Sequence, residues 1–199
     1  MMRIPSSRGR RGLALLALTA GAALLVGCLP GAAGAPGPAY QTVSPAGRRV
    51  GDGIPVPQGE TALTLSGAIA TTNEGAELRL DLATIDQFGL VQYTVVDPWQ
   101  NRSMKFSGVL LADLLKYAGV APSATSLHLV ALDDYQADIS LEDVRKWPIL
   151  LATRVDDLRP AVVDGGPTRI VFPYHAFPQI DTRVYNGQWV WSVKTIDVK

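Results

Sequence analysis

Cysteine occurs once in 199 residues, at Cys28. Residues 29–199 therefore offer no thiolate, which excludes a cysteine nucleophile, a Cys-x-x-Cys redox pair and a cysteine-held metal from that whole span. Histidine occurs twice, at His128 and His175. Two histidines so far apart do not make a zinc site expected, and no metal ligand is assigned. The Gly-x-Ser-x-Gly elbow, the phosphate-binding Gly-x-x-x-x-Gly-Lys loop and His-Glu-x-x-His are all missing. No catalytic residue can be named from motifs of this kind. Basic runs are missing too: beyond residue 28 none exceeds a pair such as Arg48-Arg49, and 29–199 carries 14 basic against 18 acidic residues, a net of −4. Nucleic acid is not an expected partner.

Acidic residues are absent from the first 28 positions, which hold Arg3, Arg8, Arg10 and Arg11. An apolar stretch of 14 residues follows from 13 to 26. That is short of the roughly 20 residues a membrane-spanning helix needs. A basic start, a short apolar run and small residues before a cut site define a secretory signal. Leu25-Val26-Gly27-Cys28 closes it, with a small residue before the cysteine. The expectation is a lipoprotein signal over 1–28, with the acylated Cys28 tying an extracytoplasmic protein to the cell membrane or the periplasmic side of an outer membrane. Arg10-Arg11 also fits a twin-arginine export signal, although a plain basic start accounts for the same residues.

Residues 29–60 are rich in Gly, Ala and Pro and read as a linker. Composition changes there, and 61–199 reads as one domain of 139 residues. Alternating or β-branched runs predict strands over 61–69, 77–82, 90–96, 127–132, 149–153, 168–172 and 189–198. Apolar residues at 110, 111, 114, 115 and 118, closed by Gly119, predict a helix over 109–118. Ser140 with Asp143 reads as the cap of a second short helix. Helices scattered singly among strands give an α+β class with mixed β-sheets.

Three segments add a resemblance. Phe106-Ser107-Gly108-Val109-Leu110-Leu111-Ala112-Asp113-Leu114-Leu115, Asp133-Asp134-Tyr135 and Gly165-Gly166-Pro167-Thr168-Arg169-Ile170-Val171-Phe172-Pro173 follow one another in an order and spacing that resembles the sulfite oxidase-like molybdopterin-binding domains. A Trp-containing final strand fits as well. The resemblance covers nearly all of 61–199 and implies that fold, a molybdopterin-type cofactor and oxidoreductase chemistry. It places Gly108 in a turn leading into a helix and Pro167 in a tight turn before a buried strand. Asp134 stands where the family usually has glycine.

Those enzymes hold molybdenum through a cysteine about four residues before a tryptophan. Aligning that tryptophan with Trp99 puts Val95 at the ligand position, with Thr94 next if the register slips by one. Neither provides a soft anionic sulfur. Molybdenum catalysis is therefore in question, and the alternative is a non-catalytic module that binds a small molecule or a partner protein and has kept the fold without the metal. The cofactor- or ligand-binding candidates are Val95, Asp97, Trp99, Tyr135, Arg169 and His175. Arg169 suits a phosphate or carboxylate, which makes a small anion an expected ligand, or else it forms an ion pair with Asp164 or Asp134. His175 lies in the stiff aromatic loop 173–178. His128, between leucines, belongs on the outer face of a strand. Trp99 and Trp147 fit a pocket wall or the core.

Overall fold

The computed structural model describes residues 38–199. Cys28, the signal segment and the first part of the linker lie outside the described residues. Ten strands build two sheets. The first has the order β1 (Gln41–Ser44), β4 (Leu90–Asp97), β5 (Arg102–Leu110), β8 (Leu150–Val155), β9 (Arg169–Val171). The second has the order β3 (Leu78–Leu80), β2 (Leu63–Gly67), β10 (Val193–Val198), β6 (Ser126–Ala131), β7 (Gln136–Ser140). Pairing is antiparallel throughout except between β10 and β2. Four short helices punctuate them: α1 (Leu82–Asp86), α2 (Leu111–Ala118), α3 (Leu141–Lys146) and α4 (Arg183–Asn186). No helix among the described residues is long and apolar enough to cross a membrane. The mixed α+β class stands.

The period-2 pattern explains the strands. Leu63, Leu65, Leu78 and Leu80 are fully buried on one face of the second sheet, and one apolar cluster joins them to Val95, Phe106, Val109, Leu151 and Ile170 of the first. Burial of this kind contributes roughly 25 cal/mol per Å² of apolar surface and is what holds the sheets in place. Both anticipated helix signals are present. Gly119 ends α2 in the left-handed conformation at φ 64°, donating to Leu115 O and Lys116 O. Ser140 Oγ accepts from Asp143 N at 3.0 Å and donates to Asp143 Oδ2 at 2.8 Å. His128 lies on the outer face of β6, its Nδ1 2.9 Å from Asp138 Oδ1.

Three expectations are corrected. Linker residues up to 60 do not all stand apart from the domain: β1 pairs with β4, Ile54 is buried, and Tyr117 Oη donates to Arg48 O at 2.7 Å. Low apolar content hid this, because β1 is held by backbone ladder bonds rather than by buried side chains. The helix over 109–118 starts at Leu111, and Val109 and Leu110 end β5. Gly108 is thus a strand residue, not a turn. A Cβ there would lie 2.1 Å from Leu151 O and 2.6 Å from Ala152 Cα, so the glycine permits close approach of β8 at a register shift. Pro167 lies in a bend two residues before the buried β9.

Candidate functional site

The site forms where β4 ends. Asp97 closes that strand and folds the following turn onto itself. Its Oδ1 accepts from Trp99 N at 2.8 Å and Gln100 N at 3.0 Å, and its carbonyl accepts from Asn101 N at 2.8 Å. Asn101 takes φ 48°, which asparagine tolerates better than most residues. Facing this turn is the chain from α4 to β10. Ser192 N donates to Gly165 O, Ile170 N to Val190 O and Leu132 N to Ser192 O, so residues 190–192 stitch β9 of one sheet to the end of β6 in the other. The β6–β7 turn completes the region. Asp134 there adopts φ 64°, which accounts for the glycine usual at that position, and its carboxylate accepts from Lys194 Nζ at 2.7 Å. That hydrogen bond holds the Asp134 carboxyl below its ordinary pKa.

Between these segments lies a buried charge pair. Arg169 is 1% exposed and Asp97 is fully buried, with Nη1 and Oδ2 separated by 3.9 Å. Arg169 Nη2 donates to the Asp164 carbonyl. The guanidinium carbon lies 4.9 Å from the Trp191 ring centre and 5.8 Å from that of Phe106. Burial pushes the Arg169 pKa down, against the opposing pull of Asp97 and Asp164. Nη1 and Nε of Arg169 and Oδ2 of Asp97 have no hydrogen-bond partner among the described residues. Of the partners read from the sequence, Asp164 contributes its carbonyl, Asp134 turns to Lys194, and the carboxylate that meets Arg169 is Asp97.

Two clefts are lined by residues neighbouring this pair. The larger, about 550 Å³, is lined by Thr94, Val95, Val96, Asn101, His175 and Asn186 among others. Val95 lies at its edge, but only 3% of the residue is exposed and it packs in the core, whereas Thr94 and Val96 face outward. His175 is exposed, donates Nε2–H to Ala39 O at 2.9 Å and leans on Tyr93 with ring centres 4.9 Å apart. The Tyr174 hydroxyl and Asn186 Oδ1 are buried here without hydrogen-bond partners among the described residues, and burial raises the Tyr174 pKa well beyond its usual value.

The smaller cleft, about 370 Å³, is lined by Trp99, Asp133, Tyr135, Trp189 and Trp191. Trp99 is 61% exposed and Tyr135 47% exposed. Trp189 is buried against Phe106 and Tyr174, with ring centres 6.0 and 5.4 Å away, and Tyr135 Oη donates to Gly187 O at 2.7 Å. Trp147 stands apart, packed on Phe177.

Of the six sequence candidates, the structure brings Val95 and His175 to one cleft and Trp99 and Tyr135 to the other, while Asp97 and Arg169 are buried and line neither. The sequence reading left out Asp133, Trp189 and Trp191 as site residues. The alternation Trp189-x-Trp191, which repeats a ring on one side of an extended chain, was the available signal.

The donor set tests the fit of a molybdopterin. Among the described residues no group of three or more His, Cys, Asp or Glu is placed to hold a metal ion, and no cysteine lies at the end of β4, where the cross-strand partner of Val95 is the buried thioether Met104. Neither cleft is lined by Lys or Arg; of the nearby cations, Arg169 is buried against Asp97 and Lys194 is paired with Asp134. A phosphorylated pterin carries negative charge that these walls do not match. The side chains present do not fit a cysteine-held, phosphate-bearing molybdenum cofactor.

A family model described as oxidoreductase molybdopterin binding domain matches residues 71–180. Among solved structures, the sulfane dehydrogenase SoxCD from Paracoccus pantotrophus superposes with a TM-score of 0.53 at 17% identity, over 73% of this chain and 40% of that one. The chain thus spans well under half of that protein, and the likeness concerns the fold. None of the curated proteins matches the sequence.

Proposed function

Because the chain belongs to the oxidoreductase molybdopterin binding domain family, we propose that it is an extracytoplasmic, lipid-anchored member that keeps the fold and binds a small organic molecule without cysteine-held molybdenum. The observation that carries this reading is the state of Arg169. It is the buried cation a phosphate would need, and it faces Asp97 at 3.9 Å instead of an open cleft. Val95 at the strand end supplies no sulfur, and its burial leaves little room for one to point outward. The rival reading, a bound molybdopterin with redox chemistry, rests on the family membership. No reaction step is assigned to the residues present.

The anchor follows from Cys28. Residues 29–38 would tether the domain to acyl chains on that cysteine and span at most about 36 Å when fully extended. That keeps the domain close to the membrane surface. The deciding experiment is metal and pterin analysis of protein exported by its own signal in a molybdenum-replete host. Molybdenum well below one atom per chain is expected. One molybdenum and one pterin per chain would overturn the proposal and direct attention to Thr94 as an oxygen ligand.

A further inference from the structure

Trp99, Tyr135, Trp189 and Trp191 come from three separate segments and converge on one small cleft. Their only charged companion is Asp133, whose Oδ1 accepts from Tyr135 N at 3.2 Å. Asp133 has no cationic partner among the described residues, while its neighbour Asp134 is paired with Lys194. Three of the four rings are braced before any ligand arrives. Trp189 is wedged between Phe106 and Tyr174, Trp191 lies against Arg169, and the Tyr135 hydroxyl is tied to Gly187. Trp99 stands on the Asp97 turn with most of its surface in water.

Aromatic faces are electron-rich, and several around one point attract a cation that is too weakly hydrated to prefer water. A carboxylate on the rim adds to that attraction and opposes an anion. Arg169 does not cancel it, since that guanidinium is buried behind the lining residues and faces Asp97. We propose that this cleft is an aromatic cage for an organic cation of the quaternary ammonium class, with the methylated head group among the rings and Asp133 beside it. The inference rests on the reading above that no phosphorylated pterin occupies this face.

The test uses the mature chain with choline and its neutral isostere 3,3-dimethyl-1-butanol, followed by calorimetry and by the fluorescence of the tryptophans that line the cleft. Choline is expected to bind at least about tenfold more tightly than the isostere, which has the same shape without the charge. Trp99→Ala and Asp133→Asn alter exposed residues, and each should weaken choline about five- to tenfold while melting stays unchanged. Equal binding of the two compounds, no binding of either, or preference for the neutral planar heterocycle lumazine would each overturn the cage. Pterin and molybdenum analysis of the same sample separates this inference from the proposed function. A pterin-free sample that ignores choline overturns the cage alone. A pterin-loaded sample that ignores choline overturns both, and a pterin-loaded sample that binds choline supports the cage while overturning the proposed function.

Discussion

Replacing Arg169 by methionine separates a buried structural cation from a ligand-facing one. In the wild type the two charges are 3.9 Å apart and nearly free of solvent. At an effective dielectric of about 20 that separation corresponds to an attraction of about 4 kcal/mol. Methionine fills much of the same volume but leaves Asp97 buried beside an apolar chain. Breaking one side of a buried pair typically costs about 3–5 kcal/mol, so the two routes agree. For a domain of this size each kcal/mol lowers Tm by roughly 2–4 °C, which predicts a fall of roughly 10 °C. Urea unfolding of Arg169→Met, Asp97→Asn and the double variant gives the coupling energy, expected at about 1–3 kcal/mol. The asparagine keeps a neutral acceptor for Trp99 N and Gln100 N, so the turn itself should persist. An Arg169→Met protein within about 1 kcal/mol of wild type would refute the reasoning and return Arg169 to the role of a ligand contact.

Gly108→Ala should destabilise by about 1–3 kcal/mol, read by thermal melting, because its Cβ meets the backbone of β8 rather than a movable side chain. Burial raises the hydroxyl pKa of both Tyr93 and Tyr174 above the ordinary 10.0. Each is therefore neutral in the fold; its contribution is full below the unfolded value and is lost as pH rises through the folded one. Phenolate absorbance from these two should appear only with alkaline unfolding, and their ionisation in a still-folded protein would contradict the burial. Cys28→Ser should abolish acylation, checked by mass analysis and membrane fractionation. Equal release of wild type and variant, with no mass added at Cys28, would remove the anchor from the proposal.

Much of the fold was legible because its signals are local. The strand at 63–67, the Gly119 stop and the Ser140 cap each depend on residues a few positions apart. What escaped was set by distant partners. β1 is held by β4, and β5 looked like the approach to a helix because the reason for Gly108 lies in β8. The site divides in the same way. Trp99 and Tyr135 were legible through the resemblance and His175 through its stiff aromatic loop, and the structure places all three on the walls of clefts. The fate of Arg169 was not legible, since its partner is 72 positions earlier in the chain. The small-anion expectation rested on that cation, which the fold turns inward against Asp97.

The position of β10 has a consequence for the order of events as the chain is made. Residues 193–198 lie between β2 and β6, and Thr195 pairs with Thr64, 131 positions before it. Until that stretch emerges, the β2–β3 ladder and the β6–β7 ladder are two unjoined half-sheets, each presenting an open edge. The closure is strongly non-local and therefore slow relative to helix or hairpin formation. A chain cut short just before residue 193 would thus hold every strand of the first sheet but lack the strand that joins the two halves of the second.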